Sequence, residues 1–404
     1  MADAPVGQGP WLTIVGLGEH GAEGLCPASR AALAAAEVVI GPPRHLALIG
    51  PLAAETVAWP APFADGLPLL QGLRGRRAVA LASGDPFWFG AGGAIARALA
   101  PGEWTALPYP STFSLAAARL GWPLERIVCL GLHAAPLARL RPYLAPGARV
   151  LILLRDGAAM AALADWLTGE GFGATRLHAL EALGGPRERV TTMRADAPAP
   201  GPFAHPVAAA LEAAGDGLVL PCASGLADSW FDSDGQITKR PVRALTLSAL
   251  APRPGERLWD IGGGSGSVAI EWLLSHPAAE AVSVERRPDR AARIRANAAR
   301  LGVDRLEVVE GAAPEALDGL PRPDAVFVGG GLSAALLAAL EARLAPRTRL
   351  VVNAVTLETE ALLLAAHARR GGALLRVALA EAAPLGCGLG WTSARPLTQW
   401  SATL

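Results

Sequence analysis

The stretch 257–266, RLWDIGGGSG, constrains the fold of this chain more than any other. It opens with a short apolar run that Pro254 and Gly255 precede, and it ends in glycines. Behind it comes SVAIEWLL, in which apolar residues recur at helical spacing. The pattern predicts a strand, a tight glycine turn and a helix, which together begin an α/β unit.

The turn places glycine on alternate positions, at Gly262, Gly264 and Gly266, after Asp260 at the end of the strand. Glycine suits a place where a ligand approaches the backbone, and the helix start behind it offers free N–H donors. Dinucleotide-binding enzymes have their third glycine one position later, where this chain has Ser267. The spacing instead resembles the first motif of Rossmann-like methyltransferases that use S-adenosylmethionine (SAM).

A second acidic residue supports a nucleoside ligand. The run AVSVE (281–285) predicts the next strand and ends on Glu285, which follows Gly266 by 19 residues. An acid at this position can accept hydrogen bonds from both ribose hydroxyls. Turn, acid and alternating pattern together favour nucleoside binding over a plain turn.

Length and composition set wider limits. A chain of 404 residues exceeds what one core usually covers, so we expect two domains. Lys+Arg and Asp+Glu are 36 each, so no basic excess favours nucleic acid. The start of the chain has no signal-peptide pattern, and His367 and Arg369 interrupt the apolar run 361–366, so we expect a cytoplasmic protein without a membrane span.

Two counts bear on possible sites. The four cysteines lie far apart without a C-x-x-C pair, so we expect neither a metal site nor a disulfide framework. Lys239 is the only lysine among the 36 basic residues, and the rest are arginine. The planar guanidinium suits carboxylates and agrees with a polyanionic substrate, although a general arginine bias of the composition explains the count equally well.

The α/β pattern runs along the whole chain. Apolar strands that end in glycine are predicted at 11–18 and 78–84. The texture changes at about 193–205, where prolines lie among alanines, and the domain boundary is predicted near 221–224, which gives domains 8–222 and 223–404. The stretch 224–250 is polar and aromatic before a helix and is a candidate lid or entry segment. The strand pattern resumes at 257 and is predicted to finish near 374–383.

The motifs of both halves resemble known families. The first half resembles the tetrapyrrole methylases, a two-lobed SAM-dependent fold, through IVGLG, GPPRHL (41–46), LASGDPFWFGAGG, PYPSTFSLAAARLGW (108–122) and LEALGGPRERV (180–190). The second half resembles the partner methyltransferase of cobalamin biosynthesis through DGQITKRPVRALTLSAL, LWDIGGGSGSVAIEW, EGAAPEAL (310–317), DAVFVGGG and NAVTLET. The resemblance implies a tetrapyrrole methylase domain followed by a Rossmann-like SAM methyltransferase domain.

The resemblance also implies a reaction. A bifunctional enzyme of this kind methylates a carboxylate-rich precorrin at C5 with its first domain and at C15 with its second, which also removes carbon dioxide from the acetate at C12. Related domains commonly self-associate, so a homo-oligomer is expected. Attack by an enamine-like carbon needs no metal, and the main task of the protein is to hold two partners in contact. The resemblance identifies no general acid or base.

Site residues of the second domain follow from the matched motifs. Those expected to bind SAM are Asp260, Gly262, Gly264, Gly266, Glu285, Gly311 and Ala312. The family often has Gly-Asp where this chain has Gly311 and Ala312, so backbone groups must replace a side-chain bond to the adenine. Those expected to contact substrate are Thr238, Lys239, Arg240, Arg243, Gly329, Gly330, Gly331 and Asn353; for Thr238, Lys239, Arg240 and Arg243 a solvated helix start is the alternative.

Site residues of the first domain follow in the same way. Those that match SAM-contacting positions of the family are Gly84, Asp85, Ser111, Thr112, Leu154 and Gly184. Arg44 and His45 are candidates for contact with substrate carboxylates, with a structural histidine as the alternative. Three other functions remain open from the residues alone: an NAD(P)-dependent oxidoreductase, a SAM methyltransferase for another small substrate, and a tetrapyrrole carrier without turnover.

Overall fold

The computed structural model describes residues 9–404, which divide into two compact units. Unit 1 comprises the chain up to Ala135 together with Tyr143–Leu218, and unit 2 comprises Pro136–Pro142 together with Val219–Leu404. Each unit has its own sheets and its own buried apolar clusters. The mixed α/β fold class predicted from the sequence is confirmed.

The first sheet of unit 1 contains five parallel strands: β1 (Leu12–Leu17), β2 (Val38–Gly41), β3 (Glu55–Ala58), β4 (Ala78–Ser83) and β5 (Trp104–Leu107). They lie in the order β3-β2-β4-β1-β5. The inner strands are nearly continuous apolar runs because both of their faces are buried. The helices of this region are α1 (Pro27–Ala35), α2 (Pro43–Ile49), α3 (Gly66–Gln71) and α4 (Gly92–Ala98).

The second sheet of unit 1 is mixed. Its strands are β6 (Val128–Gly131), β7 (Arg149–Leu153), β8 (Arg176–Glu181), β9 (Arg189–Arg194) and β10 (Val207–Glu212), and they lie in the order β6-β7-β10-β8-β9. Only β6 and β7 are parallel neighbours. The helices α5 (Thr112–Leu120) and α6 (Ala158–Gly169) belong to the same part of the chain.

Unit 2 is built on one sheet of seven strands: β11 (Arg257–Ile261), β12 (Glu280–Glu285), β13 (Glu307–Glu310), β14 (Ala325–Val328), β15 (Arg349–Ala354), β16 (Ala373–Val377) and β19 (Leu397–Thr403). Their order is β13-β12-β11-β14-β15-β19-β16. The first five are parallel, and β19 runs antiparallel between β15 and β16. The helices are α7 (Arg240–Leu250), α8 (Ser267–Ser275), α9 (Pro288–Arg300), α10 (Ala334–Arg343) and α11 (Leu357–Arg370).

Buried side chains cover both faces of the seven-stranded sheet. One cluster joins Leu258 of β11 to the apolar sides of α7, α8 and α9, including Trp272. The other joins Trp259, the next residue of β11, to α10, α11 and Trp400. Successive residues of a strand point to opposite faces, so β11 contributes to both clusters and is fixed at the centre of the unit.

The end of the chain differs from the sequence prediction. The strand pattern is predicted to finish near 374–383, but two further strands follow the hairpin strand β17 (Ala380–Leu385): its partner β18 (Gly388–Ser393), and β19. Because β19 pairs with both β15 and β16, residues 397–403 form an inner strand of the sheet. Within residues 9–404 there is no helix whose length and apolar character would let it span a membrane.

Candidate functional site

The glycine turn lies between β11 and α8, as the sequence predicts. Gly262 and Gly264 have φ angles of +75° and +60°, a region that favours glycine. A Cβ on Gly263 would lie only 2.1 Å from Oγ of Ser283 in the adjacent strand. The alternating glycine pattern does not include Gly263. This position needs glycine because a side chain would collide with the neighbouring strand. The turn is therefore packed tightly against β12 at Gly263, and Gly262, Gly263 and Gly264 line the cavity described below.

Glu285 ends β12 and supports the turn. Its Oε2 accepts a hydrogen bond from the Gly264 N–H at 2.9 Å, and its Oε1 accepts one from the Arg287 N–H at 3.0 Å. The residue is 4% exposed and lines the cavity described below. Each carboxylate oxygen has further acceptor capacity, so Glu285 can also accept two hydroxyl donors from a ligand.

Asp260 lies under the turn and not beside the ligand. It is 1% exposed and is not among the residues that line the cavity. Burial, helped by the charge of Glu285, raises the pKa of its carboxyl to about 7, against hydrogen bonds from the Ala269 N–H and Ser283 that lower it. The sequence places Asp260 among the residues expected to bind SAM, whereas in the structure it lies behind the turn and outside the residues that line the cavity.

A cavity of about 660 Å³ opens at the carboxyl ends of the parallel strands of unit 2. Open α/β sheets bind ligands at this edge, where the strand order reverses. Here β12 and β14 lie on opposite sides of β11. The predicted site residues that line the cavity are Thr238, Lys239, Gly262, Gly264, Glu285, Gly311, Ala312, Gly329, Gly330, Gly331 and Asn353.

The strand order divides this cavity into two halves. The first, which we call the glycine-turn half, is formed by the ends of β11, β12 and β13 and includes Glu285 and Gly311–Ala313. The second, which we call the β15 half, is formed around the ends of β14, β15 and β19 and includes Asn353 and Leu397. The cavity can therefore hold two ligands, or two parts of one ligand, side by side.

Arg243 is not available to a ligand, contrary to the expectation that it contacts substrate carboxylates. Its side chain is fully buried, with Nε 2.5 Å from Oε1 of Glu271 and Nη1 3.1 Å from Oδ1 of Asp228. It also donates to the carbonyl oxygens of Thr238 and Leu226. Arg243 thus holds the segment that precedes α7 onto the body of unit 2.

Two further predicted residues lie outside the residues that line the cavity. Gly266, with a φ of +77°, precedes α8, and its backbone passes close to Ile294. Arg240 is the exposed first residue of α7, and its N–H donates to Asp228 at 3.1 Å. Gly266 therefore shapes the backbone of the turn and does not line the cavity. Arg240 lies at a solvated helix start, which is the alternative that the sequence analysis gave for it.

The sequence did not identify three arginines that line the cavity: Arg286, Arg290 and Arg395. Arg290 pairs with Asp234 at 2.8 Å. Arg286 and Arg395 are exposed and make no ion pair within the part of the chain that the structure describes. Arg286 directly follows Glu285 and could have been found from that position, whereas Arg395 reaches the cavity only through the placement of β19.

In unit 1 the structure brings together two of the predicted segments. A Cβ on Gly84, whose φ is +54°, would lie 3.2 Å from Cα of Ser111 and 3.6 Å from N of Thr112. Ser111 caps α5 by accepting a hydrogen bond from the Ser114 N–H at 3.1 Å. The loop after β4 and the start of α5 therefore meet, with Asp85 at their junction.

The remaining cofactor residues of unit 1 lie farther along the chain. Gly184 follows β8 with a φ of +74°, and its N–H donates to Oε2 of Glu188 at 2.6 Å. A Cβ there would approach Leu115 of α5 at 3.3 Å. Leu154 is buried directly after β7. Gly184 is thus joined to α5, and Leu154 lies at the end of the second sheet.

Arg44 and His45 lie beside the end of β4 but do not form an open carboxylate site. Nε2 of His45 lies 2.9 Å from Oγ of Ser83 and 3.0 Å from Nη2 of Arg44, and Arg44 is paired with Glu19. Burial, helped by the charge of Arg44, lowers the pKa of His45 to about 4. His45 is buried and neutral at pH 7, so the structural alternative describes it better than carboxylate binding.

Comparisons with known proteins cover the whole chain. A family model described as Tetrapyrrole (Corrin/Porphyrin) Methylases matches residues 11–199, and one described as Precorrin methyltransferase domain matches residues 229–404. A Sinorhizobium protein named precorrin-6Y C(5,15)-methyltransferase (decarboxylating) is 51% identical over 413 residues, which is 100% of both chains. A Mycobacterium tuberculosis protein of the same name is 40% identical over 97% of this chain and 99% of its own.

A solved structure is also similar to part of the chain. It is the C-terminal domain of precorrin-6Y C5,15-methyltransferase from Rhodobacter capsulatus, which is 53% identical. The match covers 46% of this chain and 100% of that chain, with a TM-score of 0.45.

Proposed function

This chain belongs to the precorrin-6Y C(5,15)-methyltransferase (decarboxylating) family, and we propose that it methylates precorrin-6Y at C5 and C15 and decarboxylates the C12 acetate to give precorrin-8. We assign C5 methylation to unit 1 and C15 methylation with decarboxylation to unit 2. The observation that carries the proposal is the two-part cavity of unit 2, with a glycine turn and an acid in one half and polar and cationic side chains in the other.

The glycine-turn half fits SAM. Side chains on Gly262 or Gly264 would crowd the carbonyl oxygens of Gly330 and Gln236, at 2.9 and 3.2 Å from the Cβ, and would strain the left-handed backbone of the turn. Glu285 offers acceptors for the ribose, and Gly311 and Ala312 offer backbone groups for the base. SAM, when bound there, supplies a methyl group on a positively charged sulfur. The protein holds this group in place and keeps the backbone open around it.

The β15 half fits a carboxylate-rich tetrapyrrole. Lys239 and Arg395 both line this cavity and both are exposed, Lys239 to 63%, so both can pair with substrate carboxylates. Val355, Val377 and Leu379 line it as well and provide apolar surface for a macrocycle. An apolar wall excludes water and favours loss of the charge of an acetate, as decarboxylation requires.

For unit 1 we propose a second SAM site. Its residues are Gly84, Asp85, Ser111, Thr112, Leu154 and Gly184, which match the family positions by motif. The approach of Gly84 to the start of α5 supports the pairing of the first two segments. Asp85 accepts the Phe87 N–H at 2.8 Å, so its carboxylate is held in the loop and keeps acceptor capacity for a ligand.

We also propose that the chain self-associates. Two large apolar side chains on one face of the hairpin of β17 and β18 support this, because Leu389 and Trp391 are 75% and 78% exposed. Leu385, which is 71% exposed, lies on the other face of the hairpin. Apolar residues that cluster on a surface commonly mark contacts between proteins. Sedimentation equilibrium should give a mass that is a multiple of 41.4 kDa, and a purely monomeric mass would contradict the proposal.

Mass spectrometry of precorrin-6Y after incubation with the protein and SAM tests the proposed function. We expect a gain of two methyl groups and the loss of one carbon dioxide. A product with one added methyl group and no loss of carbon dioxide would support the activity of unit 1 and contradict the activity proposed for unit 2. An unchanged substrate would contradict the proposal for both units.

A further inference from the structure

We propose that Gln399 and Thr246 are positioning residues that fix the side-chain amide of Asn353, so that it donates a hydrogen bond to a substrate carboxylate in the β15 half of the cavity. The inference deepens the proposed function and rests on it. It concerns two residues that are not among the site residues expected from the sequence: Thr246 lies on α7 within the motif DGQITKRPVRALTLSAL, and Gln399 lies on β19, outside every quoted motif.

The three side chains meet on one face of the sheet. Asn353 of β15 and Gln399 of β19 are directly opposite in the antiparallel register, so their side chains are neighbours. Gln399 Nε2 lies 2.9 Å from Asn353 Oδ1 and 3.2 Å from Thr246 Oγ1, and Asn353 Nδ2 lies 2.9 Å from the same Oγ1. Only Asn353 lines the cavity, since Thr246 and Gln399 are 0% and 4% exposed.

The hydroxyl of Thr246 determines which way both amides point. Its single hydrogen is donated to the Val242 carbonyl oxygen, at 2.9 Å. Oγ1 can therefore only accept from the two amides, so each must present its nitrogen to Thr246. Gln399 then uses its second hydrogen on Oδ1 of Asn353. The reversed orientation of Asn353 would set its Oδ1 against the Thr246 hydroxyl oxygen, which has no hydrogen to give, and its amino group against that of Gln399.

The fixed orientation leaves one donor for the cavity. Asn353 Nδ2 has two hydrogens, and the structure of residues 9–404 gives a partner to one of them, Thr246. The other can serve a ligand in the cavity, which Lys239 and Arg395 also line, and this set of donors favours a carboxylate. Burying a polar side chain costs free energy unless it is hydrogen-bonded, so packing alone would favour an apolar residue at position 399. The presence of Gln399 there agrees with a role in orienting Asn353.

Variants of the network test the proposal in the full-length protein with precorrin-6Y and SAM. Gln399→Met removes both donors at similar length, and Gln399→Glu replaces them with acceptors at the same shape. We expect the KM for precorrin-6Y, followed by release of carbon dioxide, to rise about 10-fold or more, since a hydrogen bond to a charged group is lost. The Kd for SAM should stay unchanged. Ser401→Ala, on the same face of β19 but outside the cavity lining, is the matched control.

Thr246 provides a conservative rescue. Thr246→Val removes the shared acceptor and should raise the KM as Gln399→Met does, whereas Thr246→Ser keeps the hydroxyl and should retain the wild-type KM. In the Gln399→Met background, Asn353→Ala should add little, because a misoriented amide has already lost its contact. A merely structural role would instead lower stability equally in all variants without a selective change in KM.

Two results would overturn the inference in different ways. Wild-type turnover together with an unchanged KM in folded Gln399→Met and Gln399→Glu would overturn the inference alone. A wild-type protein that neither binds precorrin-6Y, by its absorption spectrum, nor releases carbon dioxide from it would overturn the proposed function and the inference together.

Discussion

Arg243 and Glu271 form an ion pair from which solvent is almost excluded. Nε of Arg243 lies 2.5 Å from Oε1 of Glu271, and the two side chains are 0% and 3% exposed. The Glu271 carboxylate also accepts the N–H groups of Gly225 and Leu226, at 2.6 and 3.0 Å. Since Arg243 donates to the Thr238 carbonyl as well, the pair connects both ends of the segment 225–239, whose last residues line the cavity.

Breaking this pair should destabilise unit 2 strongly. Arg243→Met leaves the Glu271 charge buried without its partner, and such a loss costs about 3–5 kcal/mol. We expect a lower denaturation midpoint, measured by circular dichroism in urea, and weaker SAM binding in the protein that remains folded. Arg240→Ala, at the exposed start of the same helix, should change the midpoint little. Equal midpoints for the two variants would contradict the role of the pair.

Removing the charge of Glu285 should weaken SAM binding. In Glu285→Gln an amide replaces the acceptor of the Gly264 N–H and of the proposed ribose hydroxyls, so the Kd should rise about 10-fold to 100-fold. Isothermal titration of the C15 site with SAM measures this, and a parallel titration with NAD should show no binding. Glu280→Gln, exposed at the other end of β12, is the control. Tight NAD binding would revive the oxidoreductase that the residues alone left open.

The glycine turn and Glu285 were predictable because their signals are local. A strand, a turn and a helix follow one another within the stretch 257–275, and the next strand ends on the acid. The position of β19 could not be predicted, because its antiparallel pairing with β15 joins residues as far apart in the chain as Asn353 and Gln399. Tertiary pairing of this kind leaves no periodic trace in the sequence, so Arg395 and the Asn353 network stayed hidden.

The burial of individual charged residues also could not be predicted from the sequence. Arg243 lies one turn into a helix after Lys239 and Arg240, a pattern that is typical of a solvated face. Its burial depends on Glu271, 28 residues away on α8. Asp260 likewise has the position of a ligand contact in the motif, and only the packing of the turn over it shows that it is inside.

Asp260 should make stability depend on pH. Its folded-state pKa of about 7 lies above the ordinary value of 3.8, so the folded protein binds the proton more tightly than the unfolded chain does. Stability from this group is therefore fully present below pH 4 and is lost as the pH rises to 7, by at most about 4 kcal/mol. Asp260→Asn should reduce this slope in denaturation midpoints measured between pH 4.5 and 8. If the denaturation midpoint depended on pH equally in both proteins, the raised pKa of Asp260 would be contradicted.

Lys239 should contribute to tetrapyrrole binding and not to SAM binding. It lines the cavity, is 63% exposed, and lies 3.6 Å from Asp228, a loose pair that a substrate carboxylate can replace. Lys239→Ala should raise the Kd for precorrin-6Y several-fold, more at low than at high salt, because the contact is screened. Arg253→Ala, which removes an exposed cation that is not among the cavity-lining residues, is the comparison. Unchanged affinity for precorrin-6Y in Lys239→Ala would remove this assignment.

Asp85 should separate the two methylations. It lies in the loop after β4 in unit 1, whereas the cavity with Glu285 belongs entirely to unit 2. Asp85→Ala should therefore abolish methylation at C5 while methylation at C15 continues, and Glu285→Gln should do the reverse when SAM is scarce. Position-resolved NMR of products made with 13C-methyl SAM distinguishes the two carbons. The Asp85→Ala protein must keep the wild-type circular dichroism spectrum, so that the loss is local; equal loss at both carbons would mean that the sites are not independent.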